Sequence, residues 1–359
     1  MASSLSRRRL LGLAGLALGG AALGLERSAA AGRAAPPPGP GRLSGLTLPP
    51  RGDRRLVVIS DLNGPYGSIG YRSEVARGVA LIRSWRPDLV LCGGDLVAGQ
   101  KDGLGAARLA AMWAGFDAQV LAPIRAAGVP VAFTLGNHDA SNIRSAAGAW
   151  RFADDRQAAA RFWQPRRDGL GLQLLDAAGF PFRYTALQDG LFLAVLDASG
   201  PVLGEEQLAW LERALRSPAA RGARSRIVMG HLPLVGIARG RERPSEVLQQ
   251  AGALRSLLER QGVGTYVSGH QHAWYPGRIG RLDLLCCGAL GDGPRRLLGS
   301  LQPPFQTLTV WDLFLARGTS VFTTLDMRTL RPVSLASLPA AIEGPTGRVQ
   351  RRDLVLSGL

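Results

Sequence analysis

The sequence predicts an α/β fold in which two packed mixed β-sheets are flanked by helices. Short apolar runs alternate with helical stretches up to about residue 274, a pattern typical of βαβ units with largely parallel strands. After residue 274 strands follow one another directly, which indicates a second sheet packed on the first with helices outside. A hydrophobic content of 46% is ample for such a core.

The individual elements follow from these patterns in chain order. Strands are predicted at residues 56–59, 89–92, 129–135, 191–196, 226–229 and 265–267, and then at 282–287, 307–314 and 320–326. Helices are predicted at residues 73–85, 106–127, 205–216 and 245–261. Residues 140–184 show little strand signal, and a long insertion of this kind often shapes access to a site.

The two ends of the chain differ from the middle. Residues 1–31 predict a signal peptide, because Arg7 and Arg8 precede an apolar stretch and Ala29-Ala30-Ala31 offers a cleavage site. The paired arginines are similar to a twin-arginine export signal, so we expect a periplasmic or extracellular protein. An uncleaved membrane tether is the alternative, although the apolar run is shorter than the roughly 20 residues that a spanning helix needs.

The remaining domain boundaries come from composition. The Pro/Gly-rich residues 32–53 predict a semi-extended linker, so the folded domain is expected at residues 54–338. Residues 339–359 are weakly patterned and are expected to form a loose tail.

Charge and cysteine content restrict the function only weakly. The formal net charge is +16, and arginine supplies nearly all of it, since Lys101 is the only lysine. A solvated arginine-rich surface explains this charge, and a field that attracts phosphate-bearing substrates is the alternative. Cys92, Cys286 and Cys287 have neither zinc-site spacing nor the number for a disulfide framework.

Side chains that can bind metal recur directly after the predicted strands. Because the carboxyl ends of parallel strands share one edge of a sheet, residues far apart in sequence should converge there. All four histidines of the chain belong to this set. In chain order the set is Asp61 and Asn63, Asp95, Asn137 with His138 and Asp139, His231, and His270 with His272.

The types of these ligands indicate the chemistry. Imidazole and carboxylate suit divalent transition metals such as Zn, Mn and Fe, and the absence of cysteine argues against a structural zinc site. The ligands are too many for one tetrahedral ion and about enough for two. Two ions roughly 3.5–4 Å apart can clamp the attacking and leaving oxygens in phosphoryl transfer.

Five ordered motifs carry a family resemblance. They are Asp61-Leu62-Asn63, Gly94-Asp95, Gly136-Asn137-His138-Asp139, Gly230-His231 and Gly269-His270-Gln271-His272. Together they resemble the calcineurin-like metallophosphoesterases over residues 54–324, which implies a four-layer α-β-β-α fold. Residues 60–67 and 274–277 also resemble a cyanobacterial-type exported subgroup.

The resemblance implies a role for each of these residues. Asp95 would bridge two ions, each Mn, Fe or Zn, and a hydroxide between them would attack phosphorus in line. The first ion would be held by Asp61 and His272, and the second by Asn137, His231 and His270. His138 would act near the leaving group, oriented by Asp139.

One position departs from the family pattern. Asn63 stands where the family usually has a histidine, and an amide oxygen binds transition metals more weakly than imidazole does. We expect Asn63 to ligate the first ion directly; a role limited to hydrogen bonding is the alternative. The replacement also leaves open a catalytically impaired homologue that binds metal or phosphate.

The sequence thus predicts a phosphoesterase and leaves its substrate open. A phosphomonoesterase acting on a small phosphate ester outside the cytoplasm is favoured. A phosphodiesterase or nuclease on the same site is an alternative, but the chain has no evident nucleic-acid module. Four arginines could bind the substrate phosphate: Arg144, Arg166, Arg239 and Arg241. Two tyrosines, Tyr66 and Tyr275, could line the cleft.

Overall fold

The computed structural model describes residue 46 and residues 48–356. The predicted signal peptide, and residues 32–45 and 47 of the predicted linker, lie outside the described residues. None of the helices in the described part is both long enough and apolar enough to cross a bilayer.

Strands and helices alternate along the described chain. The strands are β1 (Arg54–Ile59), β2 (Leu89–Cys92), β3 (Val131–Phe133), β4 (Gln173–Asp176), β5 (Tyr184–Gln188), β6 (Leu191–Val195), β7 (Ser225–Met229), β8 (Thr265–Ser268), β9 (Tyr275–Ile279), β10 (Leu282–Cys286), β11 (Thr307–Phe314), β12 (Thr319–Asp326), β13 (Arg331–Pro332), β14 (Ala341–Gly344) and β15 (Gly347–Arg351). The α-helices are α1 (Ser73–Trp85), α2 (Ala106–Phe116), α3 (Ala122–Ala126), α4 (Asn137–Ala140), α5 (Ala153–Trp163), α6 (Glu205–Leu215), α7 (Pro218–Gly222), α8 (Ala251–Arg260) and α9 (Arg352–Leu356).

These strands form two mixed sheets, which confirms the predicted fold class. The first sheet has the order β13-β12-β11-β1-β2-β3, and the second has the order β14-β15-β9-β10-β8-β7-β6-β5-β4. β1, β2 and β3 run parallel, as do β6, β7, β8 and β10. Central strands such as β2, β6 and β10 are buried along their whole length, so both faces of each sheet are covered.

The assignment of strands to sheets differs from the prediction. The second sheet begins already with β4–β8, and the strands after residue 274 join both sheets. β11 pairs antiparallel with β1 and so returns the chain to the first sheet, while β10 pairs with β8 in the second. Apolar periodicity identifies a strand but contains no information about its neighbour. The sequence therefore could not assign each strand to one of the two sheets.

Two predicted helices are shorter or less regular than expected. The stretch at 106–127 divides into α2, a π-helical turn at Asp117–Leu121, and α3. Pro123 lies in the first turn of α3 and cannot donate a backbone hydrogen bond to the preceding turn. The helix predicted from residue 245 begins only at Ala251, after a 3₁₀ turn at Pro244–Glu246.

The insertion and the C-terminal segment are both ordered parts of the fold. Residues 140–184 contain α5, a 3₁₀ segment and β4, and Tyr184 at the start of β5 donates its hydroxyl hydrogen to Phe133 O at 2.7 Å. The expected loose tail is wrong for residues 341–351, because β15 pairs with both β14 and β9. Ile342 and Val349 are buried there, but two apolar residues make too short a pattern to recognise.

The predicted linker also ends earlier than expected. Arg51 forms an ion pair with Asp88 at 2.8 Å, and the Gly52 N–H donates to Asp312 Oδ1 at 3.0 Å. The residues directly before β1 are therefore attached to the first sheet.

Candidate metal centre

The predicted metal ligands converge where strand ends of both sheets meet. Asp61 and Asp95 follow β1 and β2 of the first sheet, whereas His231 and His270 follow β7 and β8 of the second. Ligand atoms of Asp61, Asp95 and His231 all lie within 4.8 Å of one another. The expectation that one parallel sheet presents the whole set is therefore wrong, because two sheets share the site.

The loops that hold the ligands have an unusual backbone. Asp61, Asp95, His270 and His272 all have positive φ, between 51° and 66°. Non-glycine residues adopt this conformation at a cost of about 1–3 kcal/mol, and such strain concentrates at functional sites. Gly94 has φ +96°, and an added Cβ there would lie 2.5 Å from His231 Nδ1. The glycines beside the ligands thus permit the close approach that the sequence indicated.

The second-ion half of the site is the group Asn137, His231 and His270. His231 Nδ1 donates to Gly93 O at 2.8 Å, so its Nε2 is the nitrogen that faces the site. Asn137 donates its amide hydrogen to Gln100 Oε1 at 2.5 Å, which turns Oδ1 inward. His270 Nε2 lies 2.9 Å from Glu246 Oε2, a carboxylate oxygen that accepts its hydrogen and leaves Nδ1 free.

The inward atoms of this half are acceptors that face other acceptors. Asn137 Oδ1 lies 2.9 Å from His270 Nδ1 and 3.1 Å from His231 Nε2. His231 Nε2 in turn lies 3.2 Å from Asp95 Oδ2. Two such acceptors need a proton or a metal ion between them, and a single bound cation would satisfy all of these atoms at once. The arrangement therefore fits a bound cation.

Electrostatics agree with a site built for positive charge. Burial raises the pKa of Asp95, but His231 and His138 outweigh it and hold that pKa well below its usual range. Burial lowers the pKa of His231, yet Asp95 overcomes this and raises it to about 9. Burial lowers the pKa of His270 to about 4, so this imidazole is neutral at pH 7 and able to bind metal.

The first-ion half is the group Asp61, Asn63 and His272. His272 Nδ1 donates to Gly293 O at 2.9 Å, so Nε2 faces Asp61 Oδ1 at 3.2 Å. Within residues 48–356, Asp61 Oδ2, Asn63 Oδ1 and His272 Nε2 are all buried without a hydrogen-bond partner. Unpartnered buried polar atoms are costly, and three of them in one half-site fit a second cation.

His138 lies next to the Asp95 carboxylate. Its backbone N–H donates to Asp95 Oδ1 at 2.9 Å, and its Nε2 lies 4.0 Å from Asp95 Oδ2. Its Nδ1 donates to Gly99 O at 3.1 Å, so Nε2 is the nitrogen available for proton transfer. The ring of Tyr66 lies over that of His138, with centroids 5.0 Å apart.

The role expected for Asp139 is wrong. Its Oδ1 accepts from the N–H groups of Leu96 and Val97 at 2.7 and 2.8 Å, and its Oδ2 accepts from Gly136 at 2.8 Å. Asp139 therefore fixes the loops that hold Asp95 and Asn137, while the Gly99 carbonyl orients His138. A carboxylate that follows a histidine in sequence need not face it, because helix α4 directs successive side chains apart.

Several supporting residues were missed by sequence reasoning. Gln100 orients Asn137, and Asp155 Oδ1 in turn accepts from the Gln100 N–H at 2.8 Å. Glu246 orients His270, and Gln271 Oε1 accepts from the N–H groups of Ile237 and Ala238 at 2.9 and 3.1 Å. Only Gln271 had a signal, its place between two histidines, because the other contacts arise from loops that pack together only in the fold.

The four arginines and Tyr275, which the sequence analysis suggested as substrate-binding residues, differ in their positions relative to the site. Arg241 reaches the site, with its Nη1 3.0 Å from His270 Nε2 and 2.7 Å from Glu246 Oε2. Arg166 forms an ion pair with Asp117 at 2.9 Å and packs on Phe162. Arg144 and Arg239 are exposed residues that contact no metal-centre residue. Tyr275 is buried and donates to Pro339 O at 3.1 Å, so it has a packing role.

Comparisons with known protein families give one match to the folded domain. A family model described as calcineurin-like phosphoesterase matches residues 54–274, which is more than half of the chain. No curated protein sequence matches the chain significantly.

Solved structures of low sequence identity share the fold. A purple acid phosphatase from yellow lupin seeds is 14% identical, with a TM-score of 0.57 over 78% of this chain and 52% of its own. The chain thus spans about half the length of that plant enzyme. A dimetal phosphatase from Danio rerio is 16% identical, with a TM-score of 0.50 over 73% of this chain and 93% of its own.

Proposed function

The chain belongs to the calcineurin-like phosphoesterase family, and we propose that it is an exported phosphomonoesterase with a dinuclear metal centre. The observation that carries this proposal is the inward direction of the ligand atoms. Each of His231, His270 and His272 donates its outer ring hydrogen to an oxygen, so each presents its inner nitrogen to other acceptors. Metal ions among these atoms would satisfy the whole set.

The residues present would hold two ions, with Asp95 between the two groups of ligands. Asn137, His231 and His270 would hold one ion, while Asp61, Asn63 and His272 would hold the other. Two such ions would acidify water and neutralise charge on the phosphoryl oxygens. The ligand types suit Mn, Fe or Zn.

The chain itself contributes proton transfer and positioning. His138 Nε2 faces the site and would donate a proton to the leaving alkoxide, while Gly99 O keeps the ring in that orientation. Tyr66, exposed beside His138, would cover one side of the leaving group.

A dianionic monoester suits the charges at the rim. Arg295 donates its backbone N–H to His272 O at 2.8 Å, so it lies beside the first-ion half. Within the described chain Arg295 forms no ion pair, whereas Arg241 is neutralised by Glu246. Glu246 interacts with both Arg241 and Arg295, so one carboxylate faces two guanidiniums. This excess of positive charge favours a substrate with more negative charge, which a monoester has relative to a diester.

Parallel assays on two substrates test this proposal. Metal-depleted protein is titrated with Mn²⁺, Zn²⁺ or Fe²⁺, and hydrolysis of p-nitrophenyl phosphate and bis-p-nitrophenyl phosphate is measured. We expect kcat/KM at least about tenfold higher for the monoester, equivalent to about 1.4 kcal/mol. A preference for the diester would favour a phosphodiesterase. Metal binding without hydrolysis of either would favour an impaired homologue.

Export is tested separately. Replacing Arg7 and Arg8 by lysine should retain the protein in the cytoplasm if a twin-arginine signal directs it. Fractionation followed by N-terminal sequencing of the exported protein would locate the cleavage. Unchanged export of the variant would contradict the twin-arginine route.

A further inference from the structure

A second cavity lies on the same edge of the second sheet as the metal centre. Its volume is about 640 Å³, within the range of roughly 300–1,000 Å³ typical of small-molecule sites. Its lining includes Asn142, Arg144, Trp150, Phe182, Asp197 and Val202. None of the predicted metal ligands lines it, so it is separate from the site described above.

Strand register places one wall of the cavity directly beside a metal ligand. In the parallel pair β6–β7, Val195 lies opposite Met229, so Asp197 and His231 each follow two residues later. The ladder continues past the strand ends, because the Leu232 N–H donates to Ala198 O at 3.0 Å. Adjacent strands are about 5 Å apart, so this wall and His231 are neighbours.

The opposite wall is attached to the helix that carries Asn137. Asn142 follows α4 closely, and its amide donates to Asp197 O at 3.1 Å and to Val202 O at 3.2 Å. Ser199 donates its hydroxyl hydrogen to Ala140 O, the last residue of α4, at 2.9 Å. The cavity walls and the metal-binding loops are therefore held in one hydrogen-bonded unit.

The exposed surface of the lining is mostly apolar, and it includes one cation without a carboxylate partner in the described chain. Val202 and Ile143 are 48% and 38% exposed, unusual for large aliphatic side chains, and both lie on the cavity. The Arg144 guanidinium rests on Trp150 at 3.7 Å from the ring centroid. In the described chain its side chain donates only to Gly148 O, so donors remain for a ligand.

The other charged side chains of the lining, Asp197, Arg183 and Glu206, are already paired. Arg156 forms an ion pair with Asp197 at 2.7 Å and Arg183 pairs with Glu206 at 2.9 Å. Arg144 has no carboxylate partner among the described residues. A ligand with one negative charge and an apolar body would complement this surface.

We propose that this cavity binds the organic half of the phosphate ester, an apolar group with a single anionic substituent that contacts Arg144. The inference rests on the proposed function, since the phosphoryl group would lie at the neighbouring metal centre. It gives the insertion at residues 140–184 a role in selecting substrates by their alcohol portion.

Filling the cavity tests the proposal. Val202→Trp changes an exposed residue, and Val321→Trp on β12, 45% exposed in the first sheet, is the matched control. The substrates are phenyl phosphate and 6-carboxy-2-naphthyl phosphate. We expect Val202→Trp to raise KM for the naphthyl ester by about tenfold and to leave phenyl phosphate within about twofold, while the control changes neither. Equal effects on both esters would overturn the proposal.

A second variant and a binding assay separate this idea from the function on which it rests. Arg144→Gln should remove most of the preference for the carboxylated naphthyl ester over the uncarboxylated one, and an unchanged preference would contradict the anionic contact. Calorimetry with 6-hydroxy-2-naphthoate, the organic half alone, needs no hydrolysis. Weakened binding to Val202→Trp would support the cavity even if no ester were cleaved, and binding equal to that of the unaltered chain would refute it.

Discussion

The two halves of the metal centre differ in how their side chains are supported. In the second-ion half, Gln100 orients Asn137 and Glu246 orients His270 through side-chain contacts of 2.5 and 2.9 Å. In the first-ion half, His272 is oriented by a backbone carbonyl at 2.9 Å, and Asp61 and Asn63 each keep a buried oxygen without a partner in the described chain. In the second-ion half, other side chains position two of the three ligands and the Gly93 carbonyl positions His231, whereas the first-ion half has unsatisfied acceptors.

This difference predicts unequal affinities for the two ions. Outer hydrogen bonds fix ligand orientation and typically change metal affinity by 10–100-fold. We therefore expect the second-ion half to bind its ion tightly. The first-ion half, which also has an amide at Asn63 where an imidazole would bind more strongly, should exchange its ion more readily.

Removing the shared ligand should have the largest effect, because it damages both halves. Asp95→Asn deletes the carboxylate between the two groups, and we expect kcat/KM to fall by at least about 10³-fold with loss of metal. Steady-state kinetics with metal analysis of the same samples would measure this. Asp168→Asn, at an exposed carboxylate, is the control and should change neither quantity. Retention of both ions would contradict a bridging role.

His138→Ala should have the second-largest effect on activity, and it should separate proton transfer from metal binding. General acid catalysis contributes about 10²–10⁴-fold, so alkyl phosphates with poor leaving groups should slow by that amount while p-nitrophenyl phosphate slows much less. Metal content should stay at the unaltered level, since His138 belongs to neither half. An equal loss on both kinds of substrate would remove His138 as the acid.

Glu246→Gln tests whether the second half depends on its outer partner. The carboxamide keeps the size of Glu246 but weakens its hold on the His270 hydrogen, so we expect metal affinity at this half to fall about tenfold. Competition with a fluorescent chelator would measure the metal affinity of this half separately from that of the other half. Glu343→Gln, at an exposed carboxylate of β14, serves as the control. If only the more weakly bound ion were lost, the second-ion half would be the weaker site, contrary to the prediction.

Asn63→His should have the smallest effect on rate and should act on the first half only. Imidazole in place of the amide should raise affinity for Zn²⁺ at the weaker site by about tenfold, with activity changed by only a few-fold at saturating metal. The same chelator competition would detect it. If neither metal affinity nor rate changes, position 63 does not contact the first ion.

The sequence predicted the ligands better than their supports, for a physical reason. Asp61 and Asp95 follow neighbouring parallel strands, so strand ends placed them together, whereas His231 reaches them from the second sheet. Gln100 lies in a loop, and Glu246 lies in a 3₁₀ turn at the start of a predicted helix, so their contacts depend on how distant segments pack. The error over Asp139 has the same origin, because adjacency in sequence does not show which neighbour a side chain faces.

The fold shows the same limit. The strand bounds at 89–92 and 307–314 were predicted as observed, since apolar runs with clear ends define them. The assignment of strands to the two sheets was not predicted correctly, because pairing between β11 and β1 joins residues about 250 positions apart. Short strands such as β14 and β15 gave no pattern strong enough to separate them from a tail.

Anomalous X-ray diffraction from crystals grown with Mn²⁺ would test the two-ion centre most directly. We predict two peaks about 3.5–4 Å apart on either side of the Asp95 carboxylate, with the lower occupancy at the peak beside Asp61, Asn63 and His272. Peaks elsewhere, or none near Asp95 in protein that hydrolyses phosphate esters, would contradict the account.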